Sequence, residues 1–190
     1  MRNILIILFS LTFGIASSWQ GINTTTASKS KIEVTSSNVE TTNIQFNIDG
    51  FHLITVDTPE GEMYLARLED GASLLEMGAP DMHKFARSIV IPDDKKMAVK
   101  VVSSEFVEYK DVLVAPSKGN LSRLIDPSDV EYEFGSVYQK DDYFPGDLTG
   151  LEDPYILRDI RGQSVVFYPF QYNPVKRVLR VYKTIEVEVY

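Results

Sequence analysis

The run from Leu179 to Val189 alternates apolar and polar side chains with a single break. Leu179, Val181, Ile185, Val187 and Val189 fall on one face, and Arg180, Tyr182, Thr184, Glu186 and Glu188 on the other; Lys183 is the exception. Successive side chains of a strand point to opposite faces, so a period of two marks a strand with one buried side. A run of this length with one wet face reads as a long antiparallel strand.

The same rhythm recurs upstream. Ile44, Phe46 and Ile48 alternate with Gln45 and Asn47. Asp49-Gly50 predicts a hairpin, with the return strand over Phe51 to Val56. Further strands are expected from Ser88 to Ile91, stopped by Pro92, from Met97 to Val102 and from Phe106 to Val114. Ile156 to Ile160 and Ser164 to Phe167 flank a turn expected at Arg161-Gly162, and Tyr172-Asn173-Pro174 reads as another. Only Ala72 to Met77 and Met82 to Arg87 offer short helical alternatives. Many short strands punctuated by Pro and Gly predict an all-β antiparallel β-sandwich, jelly-roll-like in character.

Composition narrows the function. The 190 residues carry a formal net charge of −8, against the basic face of a nucleic-acid binder. There is no cysteine, so the chain supplies neither a disulfide, a zinc thiolate nor a thiol nucleophile. Stability must come from the core, for which 44% hydrophobic residues are ample. Arg2, the apolar stretch Ile4 to Phe13 and the small residues Ala16 and Ser18 read as an export signal over residues 1–18. Cleavage after Ser18 removes Arg2 and makes the chain one unit more negative. Residues 19–42, rich in Ser, Thr and Asn, read as a flexible polar leader or loosely docked arm. Residues 43–190 form the folded domain, with no membrane association once the signal is gone.

Hydrolytic or metal chemistry has little to work with. His52 lies within a strand pattern and His83 in a polar turn, and neither has a Cys or second His at ligand spacing. Asp93-Asp94, Asp141-Asp142 and Glu152-Asp153 read as solvated turns, so no metal or cofactor is expected. Asn120-Leu121-Ser122 matches a glycosylation sequon. The aromatic set Tyr132, Phe134, Tyr138, Tyr143, Phe144, Phe167, Tyr168, Phe170 and Tyr172 fits core packing better than a sugar-stacking row. Between Pro116 and Asp126-Pro127 lies a polar segment with Arg123 at the centre of Leu121 to Ile125. An exposed arginine is usually just solvated. Its planar fork can also grip a carboxylate at two points.

Three longer blocks bear on that loop: LVAPSKGNLSR, FPGDLTGLEDPYILRDIRGQ and QYNPVKRVLRVY. Together they resemble the N-terminal prodomain of the gingipain family of secreted bacterial cysteine proteases. The likeness runs over roughly Asn43 to Tyr190 and is strongest from Met97 onward. It implies a β-sandwich that assists folding of its protease and keeps it latent by offering a substrate-like basic loop to the active-site cleft. That role falls on Lys118, Ser122, Arg123 and Leu124, with Arg123 entering the primary specificity pocket. Val112 to Ile125 would be the docking edge, widened by Tyr143 and Phe144. The implied partner is an arginine-preferring gingipain-like protease domain, and the chain would be the N-terminal part of a longer secreted precursor. By itself it would not be an enzyme. The alternative is a secreted adhesion or carbohydrate-binding sandwich.

If the signal reading holds, N-terminal sequencing of exported protein will begin at Trp19. Recovery of Met1 on the exported chain would refute it.

Overall fold

The computed structural model describes residues 17–190. Most of the expected signal segment, residues 1–16, lies outside the described residues. The first strands are β1 (Ser17–Gly21), β2 (Lys31–Ser37), β3 (Thr42–Asn47), β4 (Gly50–Thr58) and β5 (Gly61–Arg67). Then come β6 (Ala72–Ser73), β7 (His83–Val90), β8 (Val99–Lys110) and β9 (Thr149–Leu151). The last are β10 (Tyr155–Leu157), β11 (Ile160–Phe167), β12 (Phe170–Asn173) and β13 (Val178–Val189). Between β8 and β9 the chain is irregular, with 3₁₀ turns at Pro127–Asp129 and Ser136–Gln139. The fold is an all-β sandwich.

The expected C-terminal strand is β13, and it organises one layer. One side pairs antiparallel with β8 along its whole length. The other side is shared by β12, which covers Val178 to Val181, and β3, which covers Thr184 to Val189; β2 adds outside β3. Lys183 falls at the junction of these two partners. There the β8 register slips by one residue, and Lys183 Nζ meets Glu105 at 2.7 Å. The break in the apolar alternation is thus a bulge, which re-aims one side chain without losing the strand.

Two further sheets cover the apolar side. One has the order β10-β11-β7-β6, with β9 also on β11; the other is β1-β4-β5. Rings join the layers: Phe46 of β3 stacks on Phe167 of β11 at 5.1 Å and meets Phe85 of β7 at 5.2 Å. Phe51 of β4 meets Phe170 of β12 at 5.4 Å and Tyr109 of β8 at 5.2 Å. Leu179, Val181, Ile185, Val187 and Val189 are all buried in this core.

Several local expectations are corrected. Asp49-Gly50 is not a hairpin. β3 and β4 belong to different sheets, and Asp49 carries the chain across, its carbonyl accepting from Ile22 and Asn23 N–H. Glycine is needed at 50 because a Cβ there would come within 2.4 Å of the Trp19 ring. The two strands expected over Met97 to Val114 are one strand, β8, because β13 offers it a partner throughout. The polar Ser103-Ser104-Glu105 stretch reads as a gap only because β8 lies at an exposed edge. Arg161-Gly162 is not a turn either. Both residues lie in β11, and the turn falls at Arg158-Asp159, with Arg158 at φ 56°. The helical alternatives after Ala72 and Met82 give way to β6 and β7. The polar leader 19–42 contains strand residues of β1 and all of β2. These edge strands are held by backbone pairing with few buried side chains, and the short Ile32–Val34 alternation of β2 is the one apolar signal they carry.

Replacing Phe46 by alanine deletes a fully buried ring from both interlayer contacts. Urea unfolding of the Phe46→Ala domain should show a loss of about 3–5 kcal/mol. Phe106→Ala, at an exposed site of β8, should lose under about 1 kcal/mol. Equal losses would contradict the placement of the core.

Candidate functional site

The segment after β8 begins as core and ends as surface. Asp111 ends β8 at φ 57°. Val112, Val114, Ala115, Pro116 and Ser117 are then buried. Tyr64 N–H donates to Leu113 O, and Ala115 N–H to Tyr64 O. Pro116 bridges Pro80, Ser117 N–H donates to Ala79 O (2.7 Å) and Gly78 N–H to Ser117 O (2.9 Å). The docking edge expected over Val112 to Ile125 is therefore corrected: its first half is buried and unavailable to a partner. Only the residues after Ser117 emerge.

The emergence is built by specific groups. Gly119, at φ +78°, turns the chain outward while its N–H donates to Ser117 Oγ at 3.1 Å. Lys118 does not reach outward. Its Nζ donates to Pro127 O at 2.7 Å and lies 4.2 Å from the centre of the Tyr132 ring. Ile125 N–H donates to Ser122 O at 3.0 Å, which closes a turn with Arg123 and Leu124 at its two central positions. Ser122 Oγ accepts from Leu124 N–H at 3.4 Å. Leu124 is 95% exposed. Arg123 is exposed as well, and among the described residues its guanidinium has no hydrogen-bond or salt-bridge partner. Beyond the turn, the Ser128 amide and hydroxyl both donate to Asp126 and hold its carboxyl below the usual range.

Arg161 and Arg180 are occupied, whereas Arg87, Arg158 and Arg177 are exposed and, among the described residues, as free of side-chain partners as Arg123. Arg161 turns one guanidinium nitrogen, Nη1, toward the carbonyls of Pro92, Asp93 and Lys95. Arg180 lies over Tyr143 at 3.8 Å and donates to Glu108 at 2.9 Å. Tyr143 thus belongs to the outer surface of β8 and β13, and Phe144 bridges Tyr172 of β12. All nine residues of the aromatic set are buried or half-buried, so none forms an open stacking row.

Beneath the loop lies a support that the sequence did not reveal. Arg67 clasps Asp81 through its carboxylate (2.7 Å) and its carbonyl (3.0 Å), while Asp81 N–H donates to Ala115 O (2.8 Å). His83 packs beside this pair. Burial, and then the Arg67 charge, push its imidazole down to about 4. It is neutral at pH 7, with Nδ1 placed to accept from Leu68 N–H at 3.1 Å. Residues 14 and 16 positions apart carry no local signal of such a contact. His52 sits between Ser17 Oγ (3.1 Å) and Glu69 (2.8 Å). Cleavage after Ser18 would remove Ser17 and leave an ordinary surface pair.

The model of the family described as Propeptide_C25 matches residues 23–190. The chain belongs to that family. It is 44% identical to gingipain R1 of Porphyromonas gingivalis over 148 residues, 78% of this chain and 15% of that protein. The chain therefore spans less than a sixth of that curated relative, and it corresponds to a propeptide rather than to a catalytic unit. The complex of the RgpB pro- and mature domains of P. gingivalis contains a chain similar to this one. That match has a TM-score of 0.80 and 40% identity and covers 83% of each chain. A structure concerned with the zymogenic latency of gingipain K from P. gingivalis shares the fold, with a TM-score of 0.76 at 21% identity. There the match covers 92% of this chain and 97% of that one.

His83 predicts an acid-sensitive support. A folded-state pKa below the ordinary value of 6.5 means that the unfolded chain binds the proton more readily. The stabilisation is complete above about pH 6.5 and is lost as pH falls toward 4. Allowing for partial solvent screening, urea titrations should lose up to about 2 kcal/mol across that window. The carboxylates whose pKa values are lowered start from ordinary values of 3.8 and 4.5, so their share of the loss begins only at the acid end of that window. A His83→Asn domain whose stability falls just as steeply between pH 6.5 and 4 would exclude His83 as the cause.

Proposed function

We propose that this domain keeps a gingipain-like cysteine endopeptidase latent, and assists its folding, by seating the 118–125 loop in the active-site cleft with Arg123 in the primary specificity pocket. One observation carries this reading: within the loop that resembles the family's inhibitory segment, Arg123 sits at the centre of an exposed turn and, among the described residues, its guanidinium has no partner, a display that outside this segment Arg158 shares. A planar cation held outward and already free of intramolecular bonds is suited to bidentate capture by a carboxylate. Ser122 and Leu124 flank it as the residues of a substrate would. Membership of a propeptide family supports the same role, as does similarity to a prodomain found in complex with its mature protease. Identity is higher to the R-type relatives than to gingipain K, in keeping with an arginine-preferring partner. The domain is then the N-terminal part of a longer precursor that is exported by the signal over residues 1–18 and acts outside the cell. A glycan-binding role would call for an open aromatic row, and the half-buried rings favour the protease reading.

The test is inhibition of an arginine-preferring gingipain-like protease domain by the separately produced prodomain. Truncating a charge buried against a pocket carboxylate removes about 2–5 kcal/mol, largely because the other charge is left unpaired. Arg123→Ala should therefore raise the inhibition constant by about ten-fold or more. Arg123→Lys should be intermediate, since it keeps the charge and loses the fork. Lys140→Ala, at an exposed site, should change nothing. Unchanged inhibition by Arg123→Ala would remove Arg123 from the pocket.

A further inference from the structure

We propose that Lys118 is a positioning residue: it clasps the base of the Arg123 loop from within the domain and does not contact the protease. The inference rests on the inhibitory reading of that loop for its consequence, but the clasp itself is a property of this chain alone. Lys118 Nζ donates to Pro127 O at 2.7 Å and is held 4.2 Å from the centre of the Tyr132 ring. Both contacts lie on the far side of the loop from Lys118. A lysine committed to a carbonyl and an aromatic face in this way is not available as a second probe of an acidic pocket.

The geometry gives the clasp a purpose. On one side the chain is anchored by buried Ser117, bonded to Ala79 and Gly78. On the other, the next backbone anchor to the same spot is Gly135, whose N–H donates to Gly78 O at 2.9 Å. Residues 118–134 lie between these anchors. With Lys118 bound to Pro127, the span left open shrinks to residues 119–126, about half as long. Each two-fold shortening of a flexible span favours closure by roughly three-fold on chain entropy alone. The hydrogen bond and the cation–ring contact add to that.

The tip is held differently. Among the described residues, only the Ile125 N–H to Ser122 O bond and a long Leu124 N–H to Ser122 Oγ contact close the turn around Arg123. The base is therefore pinned while the tip stays free to open into the extended form in which a cleft receives a peptide. An inhibitory loop needs this division, because a fixed base lowers the ordering cost of docking and a soft tip lets the arginine adjust.

The experiment compares wild type, Lys118→Met and Lys118→Arg in the same domain. Met keeps the apolar stem without the cation; Arg keeps a cation and a donor. Amide hydrogen exchange is read on peptides covering residues 119–131 and, as an internal reference, on β11 and β13. Inhibition of the arginine-preferring protease domain is measured in parallel. Exchange across 119–131 should rise about three-fold or more in Lys118→Met, with the strands unchanged, and return toward wild type in Lys118→Arg. Inhibition should weaken by a similar factor and recover likewise. Unchanged loop exchange in Lys118→Met would overturn the clasp, even if Arg123→Ala abolished inhibition. Loop exchange that rises while Lys118→Met leaves inhibition intact would sink the positioning role. If Arg123→Ala were silent too, that result would fall on the inhibitory reading itself.

Discussion

The pairing of β13 with three neighbours is the constraint on which the rest of the structure depends. Its apolar face supplies Leu179, Val181, Ile185, Val187 and Val189 to the core, while its two edges hold β8, β12 and β3. Because β12 and β3 share one edge end to end, the strand must accommodate a junction between them. Lys183 marks that junction, and the bulge there lets a cation reach Glu105 without entering the core. Covering the buried face of such a layer takes two smaller sheets, locked to it by the Phe46–Phe167 and Phe51–Phe170 contacts. The hydrophobic term of these rings, each burying a large area, is what a domain without disulfides has to rely on.

The loop depends on this frame in a graded way. The chain leaves β8, passes through a buried segment from Val112 to Ser117, and only then reaches the surface. Each step outward has fewer contacts: backbone ladders at Val114 and Ala115, paired backbone bonds at Ser117, one side-chain clasp at Lys118, one turn at Ser122 to Ile125. Arg67, Asp81 and His83 brace the buried step from beneath. A rigid base with a sparsely bonded tip is the arrangement expected where binding must be strong but the bound segment must still adapt.

Legibility in the sequence followed the strength of the local pattern. β13 and β3 were readable because their alternation is long and apolar. β1 and β2 were harder to read, since edge strands stabilised by backbone pairing bury few side chains and β2 shows only the short alternation of Ile32 and Val34 within a polar stretch. Asp49-Gly50 misled because the dipeptide that favours a hairpin turn also serves where a ring packs on the backbone, as Trp19 does on Gly50. Arg123 was legible as a loop cation between Pro116 and Pro127. The clasping role of Lys118 was not, because its partners Pro127 and Tyr132 are brought to it only by the path of the folded loop.

The sequence by itself determined the fold class, the long central strand, the absence of thiol chemistry and the family, because each rests on local periodicity, composition or contiguous blocks. Only the tertiary structure decided which strands are neighbours, that Val112 and Val114 to Ser117 are buried, that Arg161 is tied down, and that Arg123 has no partner among the described residues. Those facts come from contacts between residues far apart in the chain, and no local rule encodes where a loop's carbonyls will find their donors.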